Sequence, residues 1–194
     1  MLNKGADWIH LDVMDGTLVP NISFGFSVVD AVAKVAEKPL DAHLMVVHPE
    51  RWFECLAADK VSCVSFHWEA SGRRSAANLA AIKALGMKAG LVINPDIPVQ
   101  KLYPYIGKAD FFLIMSVFAG FGGQKFIYES IDRVAALRAE IERRGAKALI
   151  EVDGGVSADN ATALKEAGAD ILVAGSSVFK SQDPLAAMRA LREA

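Results

Sequence analysis

Histidine and aspartate alternate in a short segment near the start of the chain, His10-Leu11-Asp12-Val13-Met14. Because residues two apart in a β-strand share a face, a strand here would point His10, Asp12 and Met14 to one side. An imidazole and a carboxylate placed side by side can bind one metal ion, or can form an ordinary buried pair. On its own, the H-x-D pattern leaves both interpretations open.

Two later segments offer the same kinds of side chain. Asp41-Ala42-His43-Leu44-Met45 would place His43 and Met45 on one strand face, and Glu151-Val152-Asp153-Gly154-Gly155 ends an apolar run with an aspartate. Three strands that each offer a ligand at the same end favour a metal site over a coincidence, and the four ligands are His10, Asp12, His43 and Asp153. Two imidazoles and two carboxylates suit one divalent ion, and Zn²⁺, Fe²⁺, Mn²⁺ and Co²⁺ all remain open.

Glycine-rich segments provide a second chemical signal. Gly120-Phe121-Gly122-Gly123-Gln124 and Gly175-Ser176-Ser177 each follow an apolar run and precede a helical pattern. Glycine-rich strand-to-helix loops expose backbone N–H groups, and the helix N-terminus favours an anion. Either segment alone is typical of a tight turn, but together they favour a phosphorylated ligand.

Short apolar runs alternate with segments of helical period along the whole chain. The predicted strands are Trp8–Val13, Leu40–Val46, Cys63–Trp68, Ala89–Ile93, Phe111–Val117, Ala148–Val152 and Ile171–Ala174. The clearest predicted helices are Ile131–Arg144, Asp159–Ala167 and Asp183–Glu193. Strands that are apolar on both faces and alternate with helices predict a parallel sheet with right-handed crossovers.

The distribution of polar residues favours a barrel over an open doubly wound sheet. Polar side chains stand at the carboxyl ends of many strands, and these ends converge on one mouth in a (β/α)₈ barrel. No G-x-G-x-x-G follows the first strand, which weakens a dinucleotide-binding fold. We therefore predict one TIM-barrel domain over residues 1–194. Only seven strands are found, so we expect the first strand and most of the first helix of the barrel to be missing, which leaves an open edge.

Composition restricts the partners and the compartment. Hydrophobic residues make up 53% of the chain and charged residues 23%, with a formal net charge of -2. This balance gives no reason to expect a nucleic acid or a membrane partner, and no apolar run reaches the roughly 20 residues of a membrane helix. The two cysteines, Cys55 and Cys63, form no disulfide or metal pattern, so we expect both to fill the core and the protein to be cytoplasmic.

Several motifs together carry a family resemblance. The segments H-L-D-V-M-D-G-x-x-V-P-N, D-A-H-L-M-V, M-S-V-x-x-G-F-G-G-Q-x-F, E-V-D-G-G-V and V-A-G-S-S-V-F closely resemble those of ribulose-phosphate 3-epimerases. They occur in order and cover essentially the whole chain. The resemblance implies a (β/α)₈ barrel that converts D-ribulose 5-phosphate to D-xylulose 5-phosphate in the pentose phosphate pathway. It also implies a sugar-phosphate substrate and a homo-oligomer.

The resemblance also implies roles for particular residues. The family's metal ligands fall on His10, Asp12, His43 and Asp153, and its acid/base pair falls on Asp12 and Asp153. Its substrate and phosphate contacts fall on His43, Gly120, Gly122, Gly123, Gly154, Gly155, Gly175 and Ser176. Possible pocket-lining residues are Met14, Met45, His67 and Met115. Glu151 lies deeper than Asp153 on the same face, and we expect it to be a structural carboxylate inside the barrel.

The chain departs from the family pattern in three places. Nothing matches the substrate-contacting serine of the family's usual first strand, Phe118-Ala119 replaces Asn-Pro in a loop that closes over substrate, and Trp68 replaces a proline. Two alternatives therefore stay open beside the five-carbon epimerase. One is a 3-epimerase of a six-carbon ketose phosphate such as allulose 6-phosphate. The other is a truncated barrel with impaired activity or none.

Overall fold

Seven parallel strands follow one another in sequence order in a computed structural model that describes residues 1–194. The strands are β1 (Ile9–Met14), β2 (Leu40–Met45), β3 (Cys63–His67), β4 (Lys88–Ile93), β5 (Phe111–Met115), β6 (Leu149–Asp153) and β7 (Ile171–Val173). Each strand pairs with its sequence neighbours, so the order in the sheet is β1 to β7. The predicted parallel α/β architecture with seven strands is therefore confirmed.

Helices stand before, between and after the strands, and the crossover from β4 to β5 contains two 3₁₀ turns, Val99–Lys101 and Tyr103–Tyr105, in place of an α-helix. The α-helices are α1 (Leu2–Gly5), α2 (Phe26–Ala33), α3 (Phe53–Ala58), α4 (Trp68–Ser71), α5 (Ser75–Ala84), α6 (Glu129–Arg143), α7 (Ala158–Glu166), α8 (Ser176–Phe179) and α9 (Pro184–Glu193). The ends of α7 and α9 carry recognisable signals. Ser157 and Asn160 form a reciprocal capping box at α7, and the Asp183 side chain accepts the Ala186 N–H at the start of α9.

The sheet is curled, because ligand atoms from β1 and β6 lie within 4.8 Å of one another although four strands separate these two in the sheet order. Apolar side chains on both faces drive this arrangement. Every residue of β2, β3 and β5 is buried, and one continuous hydrophobic cluster packs the strands against the helices.

The curled sheet does not close. β1 and β7 are its two edges and do not pair with each other, as the strand count predicted. We call the gap between β1 and β7 the seam. Helices α1 and α9 contact each other over it, and Arg192 donates hydrogen bonds to the Gly5 carbonyl and the Asp7 carboxylate. The strand β7 is only partly buried throughout.

Element bounds differ from the predicted ones by a few residues at most. The expectation that both cysteines fill the core was wrong for Cys55, which is exposed on α3, whereas Cys63 is buried in β3. The short turn of helix before β1 agrees with the expectation that a helix precedes this strand. No helix combines the length and the apolar character required to cross a membrane.

Candidate metal and active site

Strand register brings the predicted ligands together. Asp12 on β1 stands opposite His43 on β2, and the His43 Nδ1 atom lies 3.0 Å from the Asp12 Oδ1 atom. His10 lies two residues earlier on the same face of β1, with Nε2 3.3 Å from the same oxygen. Asp153 ends β6 and reaches the group across the curled sheet. Ligand atoms of all four residues lie within 4.8 Å of one another.

The charge of Asp12 is stabilised by the two histidines. Burial alone would raise the pKa of this carboxyl group, but hydrogen bonds and charge interactions with His10 and His43 outweigh burial. The net effect holds the pKa of Asp12 well below its usual range. Asp12 is therefore ionised at neutral pH and is available as a base or as a ligand.

Asp153 has the opposite electrostatic environment. Burial, and next the negative charge of Asp12, raise the pKa of Asp153 to about 7. The charge of His10 and a hydrogen bond from the Gly154 N–H oppose this shift, but they offset it only in part. Two carboxyl groups of one site therefore have protonation equilibria that are pushed apart, as in many acid/base pairs.

Two buried acidic residues, Asp41 and Glu151, lie next to the Nδ1 atom of His10. The His10 Nδ1 atom lies 2.6 Å from the Asp41 carboxylate and 3.7 Å from Glu151. Burial would lower the pKa of His10, but the charge of Asp41 and contacts with Asp12 raise it well above its ordinary value. Burial and the charge of Asp41 raise the pKa of the Glu151 carboxyl group well above its ordinary value. The expected interior position of Glu151 is thus what the structure shows.

His43 is supported by a second histidine. Its Nε2 atom lies 3.0 Å from Nε2 of His67, which ends β3, and both side chains are fully buried. Burial lowers the pKa of His43 to about 4, although the Asp12 carboxylate opposes this shift. His43 is therefore neutral, which is the form that binds metals.

One cavity of about 750 Å³ opens in front of the cluster. It is lined by three of the predicted ligands and by most of the predicted substrate contacts. These residues are His10, Asp12, Asp153, Met14, Met45, Met115, Gly120, Gly122, Gly123, Gly154, Gly155, Gly175 and Ser176. The cavity continues along the seam past Trp8 and Leu172. We call the part of the sheet from β2 to β5 its closed side. His43 and His67 lie there, behind Asp12, and do not line the cavity.

Glycine is required at two of the loop positions. Gly154 has a φ of 119°, and a Cβ atom there would meet Val117 at 2.5 Å. Gly120 has a φ of 123° and a Cβ atom would lie 3.2 Å from Val19. Both positions therefore exclude larger residues for steric and conformational reasons. The loops after β5 and β6 can pack tightly together around the cavity.

Several supporting residues were not identified from the sequence. The Ser116 hydroxyl donates towards the Asp153 and Gly154 carbonyls, which fixes the chain that carries Asp153. Arg133 on α6 donates to the carbonyls of Met115, Asn94 and Ile97, so it ties the ends of β4 and β5 together. Asp41 could have been found, because D-x-H places it on the same strand face as His43.

Comparison with known proteins identifies the relatives of this arrangement. The model of the ribulose-phosphate 3 epimerase family matches residues 1–179. The chain belongs to the ribulose-phosphate 3-epimerase family. A member named ribulose-phosphate 3-epimerase from Synechocystis sp. is 44% identical over 97% of this chain and 82% of that protein. The Bacillus subtilis protein of the same name is 42% identical over 97% of this chain and 87% of its own length.

Solved structures support the barrel-like fold of this family member. A 3-hexulose-6-phosphate synthase superposes with a TM-score of 0.72 at 20% identity, covering 96% of this chain and 86% of that one. Two of the departures from the epimerase pattern are located by the structure. Phe118 is half exposed in the loop after β5, and Trp68 begins α4 with the Lys101 ammonium 5.1 Å from its ring centre.

Proposed function

We propose that this chain epimerises C3 of D-ribulose 5-phosphate to give D-xylulose 5-phosphate, a reaction of the pentose phosphate pathway. The observation that carries the proposal is the pair Asp12 and Asp153, which reach one cavity from different strands and have pKa values shifted in opposite directions. Membership of the epimerase family, with curated relatives above 40% identity, supports the substrate.

The two aspartates suit inversion at a carbon next to a carbonyl group. The C3 proton of a 2-ketose is acidic because its removal gives an enediolate. The ionised carboxylate of Asp12 can accept this proton on one face, while protonated Asp153 can deliver a proton to C3 on the other. In the reverse direction the two residues exchange roles. After each turnover a proton must move between the two carboxyl groups or through solvent to restore the starting state.

The four-residue cluster fits one divalent metal ion. His43 is neutral, Asp12 is ionised, and the His10 Nε2 atom faces Asp12 at 3.3 Å, where a bound ion would replace its proton. We assign His10, Asp12, His43 and Asp153 as the ligands, with the identity of the metal open among Zn, Fe, Mn and Co. When bound, the ion would supply Lewis-acid stabilisation of the negative charge that develops on the substrate oxygens.

The glycine-rich loops are proposed to hold the phosphate. Gly120, Gly122 and Gly123 follow β5, Gly154 and Gly155 follow β6, and Gly175 and Ser176 follow β7. Exposed backbone N–H groups in such loops bind phosphate oxygens, and the loops after the last barrel strands are a common phosphate site. Met14, Met45 and Met115 would form an uncharged wall beside the enediolate.

We further propose that the protein works as a homo-oligomer in the cytoplasm. The unpaired edges at the seam and the family resemblance support self-association. The free thiols of Cys55 and Cys63 fit a reducing compartment.

The decisive experiment follows hydrogen exchange at C3. Purified protein loaded with a divalent metal, incubated with D-ribulose 5-phosphate in ²H₂O, should give D-xylulose 5-phosphate that carries deuterium at C3. Exhaustive chelation should stop both product formation and exchange, and epimerase activity that survives chelation would contradict the metal site. D-allulose 6-phosphate is the matched substrate control. Faster turnover of this six-carbon compound would reassign the substrate.

A folding control separates an impaired barrel from an incorrect substrate. A chain that unfolds cooperatively but is inactive on both substrates would overturn the epimerase proposal. A chain without a cooperative transition would support the impaired-barrel alternative instead.

A further inference from the structure

On the side of the metal cluster that faces away from the cavity lies a histidine that belongs neither to the ligand set nor to the cavity wall. His67 is fully buried at the end of β3 and lies behind His43. We propose that His67 is a positioning residue, which holds His43 in the tautomer with its proton on Nε2 so that the Nδ1 lone pair faces the metal. This assignment rests on the proposed function, because it concerns the same ligand set.

Strand register creates the contact between the two rings. His43 on β2 is in register with Ser65 on β3, and His67 lies two residues further along the same face of β3. The two Nε2 atoms are 3.0 Å apart, the ring planes differ by 20° and the ring centroids are 5.1 Å apart. The centroids are much further apart than the nitrogens, so the rings meet edge to edge, as an N–H···N hydrogen bond requires.

The chemistry of imidazole decides which ring must donate. A neutral imidazole has one N–H and one lone pair, so the two nitrogens of a ring take opposite roles. The Nδ1 atom of His43 faces Asp12 and the cluster, and it must present a lone pair to bind a metal. The proton of His43 is then on Nε2, where only His67 lies within hydrogen-bond distance. His67 must therefore accept with its own Nε2 atom.

The other edge of His67 can accommodate this arrangement. With Nε2 acting as acceptor, the His67 proton is on Nδ1, and the Glu69 carboxylate lies 3.5 Å from that nitrogen. Glu69 is itself held by the Asn94 backbone N–H at 3.0 Å. The Asn94 side-chain amide is also 3.5 Å from Nδ1, so the opposite tautomer has a partner as well. The charged Glu69 carboxylate is the stronger partner of the two, so it favours the tautomer in which His67 accepts from His43.

A set of substitutions separates positioning from packing. His67→Leu keeps most of the buried volume but removes the acceptor, whereas His67→Gln retains a polar atom near the Nε2 position. His48→Leu is the matched control, because this histidine is about half exposed and its Nδ1 atom faces Glu50, which is not a proposed ligand. The measurement is the Zn²⁺ affinity, obtained by competition with a chromophoric chelator, together with thermal unfolding of each apo-protein.

We expect His67→Leu to weaken Zn²⁺ binding by about 10–100-fold, as removal of such supporting partners usually does. His67→Gln should recover most of the affinity, and His48→Leu should not change it. Wild-type affinity in His67→Leu, or equal losses in the Leu and Gln variants, would overturn the assignment. Wild-type protein that binds no Zn²⁺ would instead overturn the proposed metal site itself.

Nitrogen NMR on the wild-type protein gives a test that does not depend on the folding of a variant. The chain has only four histidines, so ¹⁵N-labelled imidazole signals can be assigned readily. In the Zn²⁺-loaded protein we expect the His43 proton on Nε2 and the His67 proton on Nδ1. A His43 ring without a proton on Nε2 would overturn the proposal, even if the metal is tightly bound.

Discussion

The closed side of the sheet, from β2 to β5, differs sharply from the side that borders the seam. On the closed side, β2, β3 and β5 are buried along their full length, and His43 and His67 have no exposed surface. On the seam side, β7 is only partly buried, and Asp12, His10 and Asp153 face a cavity. The two sides contribute different things to one site.

The closed side holds a metal ligand rigidly in place, whereas the seam side carries the groups that transfer protons. The closed side supplies a neutral, rigidly held ligand in His43, whose rear contact is another imidazole. The seam side supplies the groups that can exchange protons with the substrate, because Asp12, His10 and Asp153 lie close together there and near Asp41. Chemistry that needs protons and substrate access is therefore placed where the sheet is open, and the ligand that should not titrate is placed where it is closed.

The largest predicted effect concerns the seam side. Asp153→Asn and Asp12→Asn should each lower the epimerase rate by about 10²–10⁴-fold, because each removes one of the two proton-transfer groups. Asp153→Asn should leave stability nearly unchanged, since an amide has nearly the same shape as a carboxyl group, whereas Asp12→Asn should lower the unfolding free energy because it removes the charge that His10 and His43 stabilise. The rate of deuterium incorporation at C3 and urea unfolding curves give the two measurements. Exchange from both faces in either variant would refute the two-base assignment.

The second prediction compares the same residue type on the two sides. Leu44→Ala on β2 removes a fully buried side chain and should cost about 2–5 kcal/mol of unfolding free energy. Leu172→Ala on β7 should cost clearly less, about 0.5–2 kcal/mol, because its side chain borders the cavity at the seam. Urea denaturation of both variants measures the difference. Equal losses would show that the seam is packed as tightly as the closed side.

Much of this organisation could be predicted from the sequence. The H-x-D pair, His43 and Asp153 were placed at strand ends by residue type and strand period, and the structure brings them within 4.8 Å of one another. The count of seven strands predicted the open edge. These features depend on local pattern, which a single sequence contains.

Other features depend on contacts between distant segments. The contact of His67 with His43 requires the register between β2 and β3, and no local pattern gives this register. Arg133 lies on an amphipathic helix, where a charged residue is ordinary, yet it binds the carbonyl at the end of β5 and two carbonyls just beyond β4. The opposite pKa shifts of Asp12 and Asp153 arise from burial and neighbours that exist only after folding.

The third prediction uses these pKa shifts to compare the two sides during turnover. Asp153, with a pKa raised to about 7, is largely protonated at pH 6 and largely ionised at pH 8. His43, with a pKa lowered to about 4, is deprotonated at both pH values. Because Asp153 must hold a proton to act as the acid, kcat/KM for D-ribulose 5-phosphate should fall by about tenfold from pH 6 to pH 8, and His43 should contribute nothing to this fall.

Initial rates measured at several pH values between 6 and 8, with metal in excess, give this profile. The metal content of the protein at the same pH values is the control, because it separates loss of the Asp153 proton from loss of the ion. A kcat/KM that is the same at pH 6 and pH 8 would contradict the raised pKa of Asp153.

The smallest predicted effect tests how the seam is covered. Arg192 on α9 donates to the Gly5 carbonyl and the Asp7 carboxylate, but about half of its side chain is exposed and the Asp7 side chain is largely exposed. Exposed ion pairs contribute little, so Arg192→Ala should change the unfolding free energy by no more than about 1 kcal/mol. A loss above about 2 kcal/mol in urea unfolding would contradict this. The two chain ends would then hold the seam as a cooperative part of the fold, and the contrast between the open and closed sides would be much weaker than their burial indicates.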